Sequence, residues 1–501
     1  MNTKSLVTLA GALAGFYLVQ THARAQGSLM PPAGVPAPVM KSLDQIEARI
    51  PLNTITGVSN AMHLITQPGN YYLTADIVAT AGRNGILINA NNVSIDLNGF
   101  AITGTGTGST CGITEQNPDG GQANHLSVFN GVIRNWGGTA LLINSAPLDV
   151  VRDVRIADCG GGVVSYGALR ISRCELQNPG KSGITLVTSY SVVEDCVVNA
   201  LNGGGAAASG IYIYDGLVKN CQVRGVSGSP ARGIWVEWKG GVIRNCRADA
   251  ITSFAGTGAG MEADTVTDCA VAYITSVLAS STGIVGSHVE RCSVQEITAS
   301  TSSGFARGIH QVGTAGLVEQ CLVKKVSGYN AYGVVTTNSL RLVNTHVDSL
   351  TGTGGNVAGI YAWGGTSLIS GCGVSAVTNS AITATGINAS SATVEQCRVS
   401  RIKSTGISVG GRSSVLNCQV EQAGNGNVAA SAISASGDGN RIDSNHVMLS
   451  PTGITVSGLS TVTRNFAQGN TTNYSGIPAS LIVGNYADMA TATSPFVNIG
   501  F

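Results

Sequence analysis

The residues with the most chemistry to offer fall in one window of the chain. Tyr212, Tyr214, Trp235, Glu237, Glu262 and Asp264 stand in three successive copies of a pattern that opens Gly210-Ile211, Gly233-Ile234 and Gly260-Met261. With the glycine as position 0, Tyr212, Trp235 and Glu262 hold position +2, and Tyr214, Glu237 and Asp264 hold +4. Trp238 follows at once, and His310, Tyr361 and Trp363 take the same two positions in later copies. The chain has only 4 tryptophans, so Trp235, Trp238 and Trp363 are a local enrichment. Aromatic rings stack on the apolar faces of sugars while carboxylates accept from their hydroxyls, so the mixture suits a saccharide. Crowded carboxylates raise one another's pKa, as an acid/base pair for glycoside hydrolysis requires. Glu237, Asp264 and Glu262 are therefore the candidate catalytic residues. Tyr212, Tyr214, Trp235, Trp238, His310, Tyr361 and Trp363 are the candidate substrate-binding residues. The three carboxylates would equally suit Ca²⁺ in a polysaccharide lyase, with Arg232 or Lys239 as base; no other cofactor and no resident metal is expected. Against this stands a plain reading, since Tyr and Trp are good strand residues and scattered carboxylates keep an exposed sheet soluble.

These residues are positioned by a repeat. Residues 183–201, 210–226, 233–251 and 308–326 each open on Gly-Ile, cross a gap of small residues and close on V-x-x-C. Aligned on the cysteine, the slot reads Asn98, Gly131, Val154, Cys174, Cys196, Cys221, Cys246, Cys269, Cys292, Cys321, Thr345, Cys372, Cys397, Cys418, Asn445, Asn465 and Asn485. The period is about 24 residues, in the solenoid range. Apolar residues at +1 and +3, two apart in copy after copy, have strand periodicity and predict that +2 and +4 face outward. The V-x-x-C pair is three apart, which breaks strand parity, so the slot is placed at an inside corner between strands. One strand spacing per turn makes a stack of roughly 77 Å.

Of the 12 cysteines, all but Cys111 and Cys159 fall in the slot. Residues stacked ~4.8 Å apart with parallel Cα–Cβ bonds do not meet disulfide geometry, and a single row cannot surround zinc tetrahedrally. A ladder of buried free thiols is the expected outcome. The rest of the composition is Gly-rich (67 glycines), only 11% charged, and carries a net charge of +1, which offers nothing to nucleic acid. Lys4, an apolar run over 6–19 and Ala23-Arg24-Ala25 read as a signal peptide cleaved near Ala25, so a secreted (extracellular or periplasmic) protein without a membrane span is expected. A linker and N-terminal cap are expected over 26–80, including a short helix that opens on the capping box Ser42 to Gln45 and ends at Pro51. The solenoid is expected over 81–490. A tail over 491–501 would close the core with Phe496 and Phe501. A long excursion over 103–125, with Cys111, Glu115, Asp119 and His125, reads as a loop.

The Gly-Ile…V-x-x-C/N turns resemble right-handed parallel β-helix proteins of the pectin-lyase-like superfamily. The stretch LITQPGNYYLTADI…NGILINANNVSIDLNGFAITG (64–104) resembles the opening of secreted bacterial β-helix proteins, mostly of unassigned activity. The resemblance covers roughly residues 60–500. It implies an all-β fold, a single right-handed parallel β-helix of about 17 rungs with a small N-terminal cap, and a ligand groove along an outer strand face. It does not carry over an active site: the Asp-Asp pair and Gly-His-Gly of polygalacturonases and the R-x-P-x-x-R of pectate lyases are absent, and Arg401-Ile402-Lys403 stands without acidic partners. Two functions are carried forward. One is a polysaccharide-binding or carbohydrate-active protein, of glycoside hydrolase or polysaccharide lyase type. The other is a non-catalytic extracellular structural or adhesive protein that holds a surface glycan.

Overall fold

The computed structural model describes residues 49–115, 125–144, 149–380, 383–425, 429–477, 482–483 and 496–500. The expected signal peptide, and the linker and capping box as far as residue 48, lie outside the described residues.

Alternating apolar positions that repeat every coil give strands that pair with their own copies. The coil around Trp235 is typical, with strands Ala231–Val236, Val242–Arg244 and Arg247–Ser253. The first strand of each coil joins one sheet of eighteen strands, here sheet 1, and the others join a 35-stranded sheet, here sheet 2. Pairing is parallel between successive coils, so Ile211 lies beside Ile234 and Val223 beside Ala248. Ile211, Ile234, Met261, Ile284, Ile309, Val334 and Ile360 stack as one fully buried file. Each such side chain contributes about 1.5–3 kcal/mol by leaving water.

Two left-handed residues bend each coil from Asn130 and Asn135 to Arg464 and Gly469. In the Trp235 coil they are Asn245 (φ 50°), just before Cys246, and Ala250 (φ 55°), just before Ile251. Side chains seldom adopt this conformation, and Asn and Asp adopt it most readily. The first bend turns the slot N–H out of the backbone ladder and into the corner. There the slot side chain of the next coil accepts it. Cys221 N–H donates to Cys246 Sγ at 3.4 Å, Cys321 N–H to Thr345 Oγ1 at 3.3 Å, Cys418 N–H to Asn445 Oδ1 at 2.9 Å and Asn445 N–H to Asn465 Oδ1 at 2.9 Å. The same side chains donate in return, as the Sγ–H of Cys221, Cys246, Cys321 and Cys397 does to the carbonyl two residues earlier at 3.2 Å. All twelve cysteines are buried and unpaired. Cys159 repeats the arrangement at the second bend, following Asp158 (φ 54°), and burial pushes its thiol up to about 11.

Several expectations are corrected here. Asn98 is exposed and left-handed (φ 51°), and buried Leu97 fills its corner instead. A Cβ on Gly131 would come within 2.3 Å of the Leu97 Cβ, which explains the glycine there. Asn485 lies outside the described residues; the ladder continues from Asn465 to Asn498, whose Oδ1 accepts from Asn465 N–H at 3.1 Å. Ile50 belongs to a strand, Arg49–Pro51, not a helix. Strands Ala61–Ile65 and Gly69–Tyr72 already pair with the next coil, so the solenoid begins well before residue 81. The excursion over 103–125 contains a sheet 1 strand, Ile113–Glu115, in register with Ile86 and Leu141; Asp119 lies outside the described residues. Phe496 is 58% exposed and closes nothing. Tyr474 is folded against the last coil instead, donating to Asn465 O at 2.9 Å and Ile499 O at 2.6 Å.

The slot requirement gives a graded test. Asn465→Ala strands the Asn445 N–H and should cost about 1–3 kcal/mol in urea unfolding. Asn465→Thr should recover much of that loss, because Thr345 fills the same role with a hydroxyl.

Candidate functional site

The outward face of sheet 1 is shaped by its glycines. Ser209 pairs with Arg232 and Ile211 with Ile234, while the glycines between them stay out of the ladder. A Cβ on Gly233 would sit 2.4 Å from Gly260 O and 2.8 Å from Ala248 Cβ, and one on Gly308 would sit 2.5 Å from Gly333 O. Only glycine permits that approach. Glycine and the residue after it both turn inward, so the positions left facing solvent are −1 and +2. The +2 file is the expected one and runs in unbroken register through Tyr212, Trp235, Glu262, Val285, His310, Val335 and Tyr361. The −1 file runs through Ser209, Arg232, Ala259, Thr282, Arg307 and Tyr332. Position +4 lies past the strand end, on the turn.

A first cluster forms where expected. Tyr212 and Trp235 approach to 4.7 Å between ring centroids, and Tyr214 stacks on Trp238 at 5.4 Å. The Arg232 guanidinium lies 4.0 Å over the Trp235 ring, and its Nε stands 3.5 Å from the Glu262 carboxylate. The Tyr212 hydroxyl donates to Glu237, and burial together with that carboxylate raises the phenol's pKa. Burial, opposed by Arg232 and reinforced by the charge of Glu237, raises the pKa of Glu262. Glu237 and Glu262 thus feel each other across one coil.

Asp264 does not join them. Its strand ends at Glu262 and the next begins at Thr265, whereas the preceding coil runs from Val236 to Val242 before resuming. In that short turn the Asp264 carboxylate accepts from the Ser287 hydroxyl at 2.5 Å, and its carbonyl accepts from the N–H groups of Ser287 and His288. Among the described residues no three His, Cys, Asp or Glu side chains are grouped to hold a metal ion, so the Ca²⁺ arrangement on Glu237, Glu262 and Asp264 is not assembled.

A second cluster joins His310, Tyr361 and Trp363 to residues that strict strand alternation passes over. Tyr361 stacks with Trp363 at 6.3 Å, Tyr332 packs on Tyr361 at 5.3 Å, and Phe305 stacks with Tyr332 at 6.3 Å. The Arg307 guanidinium lies 4.6 Å over the Phe305 ring. Arg307 and Tyr332 were legible in principle, because the residue before the glycine is polar or aromatic in Ser209, Arg232, Thr282, Arg307 and Tyr332; Phe305, two residues earlier than Arg307, carries no such signal. Ala259, Thr282 and Val285 separate the two clusters with small side chains.

Several hollows lie on sheet 2. One of about 440 Å³ is bounded by Lys324, His346, Asp348 and Arg398, and one of about 720 Å³ by Arg401, Gln422 and Leu449. Neither has an aromatic wall. Asp348 is already taken by the hydroxyls of Ser349 at 2.8 Å and Ser375 at 2.5 Å. The tyrosine and tryptophan rings that pack on one another from coil to coil are those of sheet 1.

Burial and then the charge of Arg307 lower the His310 pKa to about 4, from an ordinary 6.5. The folded state therefore binds this proton less readily than the unfolded chain. Its contribution to stability is complete above pH 6.5 and is lost as pH falls toward 4. His310→Gln should flatten that part of the fall in Tm, measured by thermal melts from pH 7 to pH 4.

The family model described as right handed beta helix region matches residues 84–248, which include the first cluster as far as Trp238. No curated protein matches the chain.

Proposed function

We propose that this chain, a right-handed parallel β-helix protein of the pectin-lyase-like kind, holds an extended polysaccharide against the outward face of sheet 1. The observation that carries the reading is the register: aromatic rings from successive coils stack on one exposed face, in two clusters along a line parallel to the solenoid axis. Trp238 and Trp363 are 56% and 48% exposed, a costly way to leave indole unless a ligand covers it. Rings spaced by coils suit a chain of repeating units better than a single sugar. No helix among the described residues is long and apolar enough to cross a membrane; reading residues 1–25 as a leader, we place the protein's action outside the cytoplasm.

One observation favours turnover as a second reading. Glu262 is held toward its protonated form beside Glu237, the division of labour that glycoside hydrolysis needs. Asp264 has no part in it. The other reading carried from the sequence, an adhesive or structural protein, predicts binding without product.

A panel of plant, bacterial and algal polysaccharides in affinity electrophoresis tests the face. Trp235→Ala and Trp363→Ala should each weaken retardation roughly tenfold, about 1.4 kcal/mol. Binding that survives both changes intact would remove sheet 1 as the site. Reducing ends or unsaturated products that vanish in Glu262→Gln would make the face catalytic; retention without product leaves it a binding surface.

A further inference from the structure

The two arginines of the −1 file differ in one respect. Arg232 lies over Trp235 and has a carboxylate, Glu262, at 3.5 Å. Arg307 lies over Phe305 in the same manner and has none. Its neighbours in the sheet are Thr282 and Tyr332 along its own file, with Val285, His310 and Val335 on the next, and not one is acidic. Burial depresses the Arg307 pKa, and only Tyr332 acts against it, so no carboxylate offsets the desolvation. His310 is neutral near pH 7 and supplies no second charge. A guanidinium cannot shed its charge, and a half-buried one without a counter-ion is costly.

Resting on the reading of sheet 1 as a polysaccharide face, we propose that Arg307 is a specificity-determining residue that receives an oxyanion substituent, carboxylate or sulfate ester, from the bound glycan. The planar fork of donors suits two oxygens of one such group, and Phe305 and Tyr332 hold it flat against the sheet. Two and three coils away, roughly 10 and 14 Å at one strand spacing per coil, the first cluster presents Glu262 and Glu237, and its guanidinium, Arg232, is already engaged by Glu262, so the same substituent is disfavoured there. The face therefore has a direction, accepting an acidic sugar at the Arg307 end and a neutral one at the Trp235 end.

Matched probes test this in the full-length mature protein by isothermal titration: polygalacturonate, the same polymer with its carboxyls reduced to alcohols, dextran sulfate and dextran. Wild type should bind an acidic polymer at least roughly tenfold more tightly than its neutral counterpart. Arg307→Gln should bring acidic-polymer affinity down to that of the neutral counterpart without lowering Tm, and Arg307→Lys should restore part of the preference. Whichever of the first and third polymers shows the preference identifies carboxylate or sulfate. Equal affinity for acidic and neutral polymers, lowered alike by Trp235→Ala, would overturn the role of Arg307 and keep the polysaccharide face. No binding of any polymer would overturn both.

Discussion

A backbone N–H aimed into a corner is the constraint on which the solenoid depends. Strands pair with their own copies at no design cost, but a chain that must close on itself every 24 or so residues has to bend, and the left-handed residue at the bend takes one amide out of the ladder. Buried and unpaired, that amide would cost as much as several good packing contacts gain. Where the slot is polar, the coil meets the need with a side chain from the next: sulfur at Cys246 and Cys269, a hydroxyl at Thr345, amide oxygens at Asn445, Asn465 and Asn498. Cysteine, threonine and asparagine share little except an atom able to accept there and a group able to donate back. The slot therefore behaves as a hydrogen-bond relay through the Cys, Thr and Asn coils, and its chemistry there is structural.

Much of this was legible because repetition averages out local ambiguity. One V-x-x-C says little; seven in phase, with I-x-x-C in three more coils, require a corner. The same logic failed where the phase changed. Asn98 has the right residue type and sits one place off, because its coil carries extra residues around Leu97 and the buried leucine claims the space. Spacing points to Asn485, yet the coil paired after Asn465 supplies Asn498, because spacing is what the chain end alters. Residues 61–72 looked like a cap because they lack the Gly-Ile and Cys marks, yet they pair in register with the coil that follows.

The candidate site was half legible, for a single reason. Strict alternation places +2 and +4 outside, and +2 was right in every coil. The glycine at position 0 and its neighbour both point inward, so the second outward file stands at −1, where Arg232, Arg307 and Tyr332 are found. Asp264 failed for a different reason: two residues of turn in place of five carry its carboxylate round to Ser287. Turn length, unlike strand phase, has no periodic signal to read.

The inward double step at each glycine means that a coil directs two side chains outward on sheet 1, while its core is set by a fixed handful of apolar ones. The face is in effect a strip of paired letters written at one pair per coil, and the scaffold beneath takes no notice of what is written. Gain or loss of a whole coil between the clusters would alter only the distance between them, in steps of a single strand spacing, with every buried contact replaced by its equivalent. A protein built this way can be fitted to a longer or shorter polymer repeat by counting coils, without redesigning a single contact in its interior.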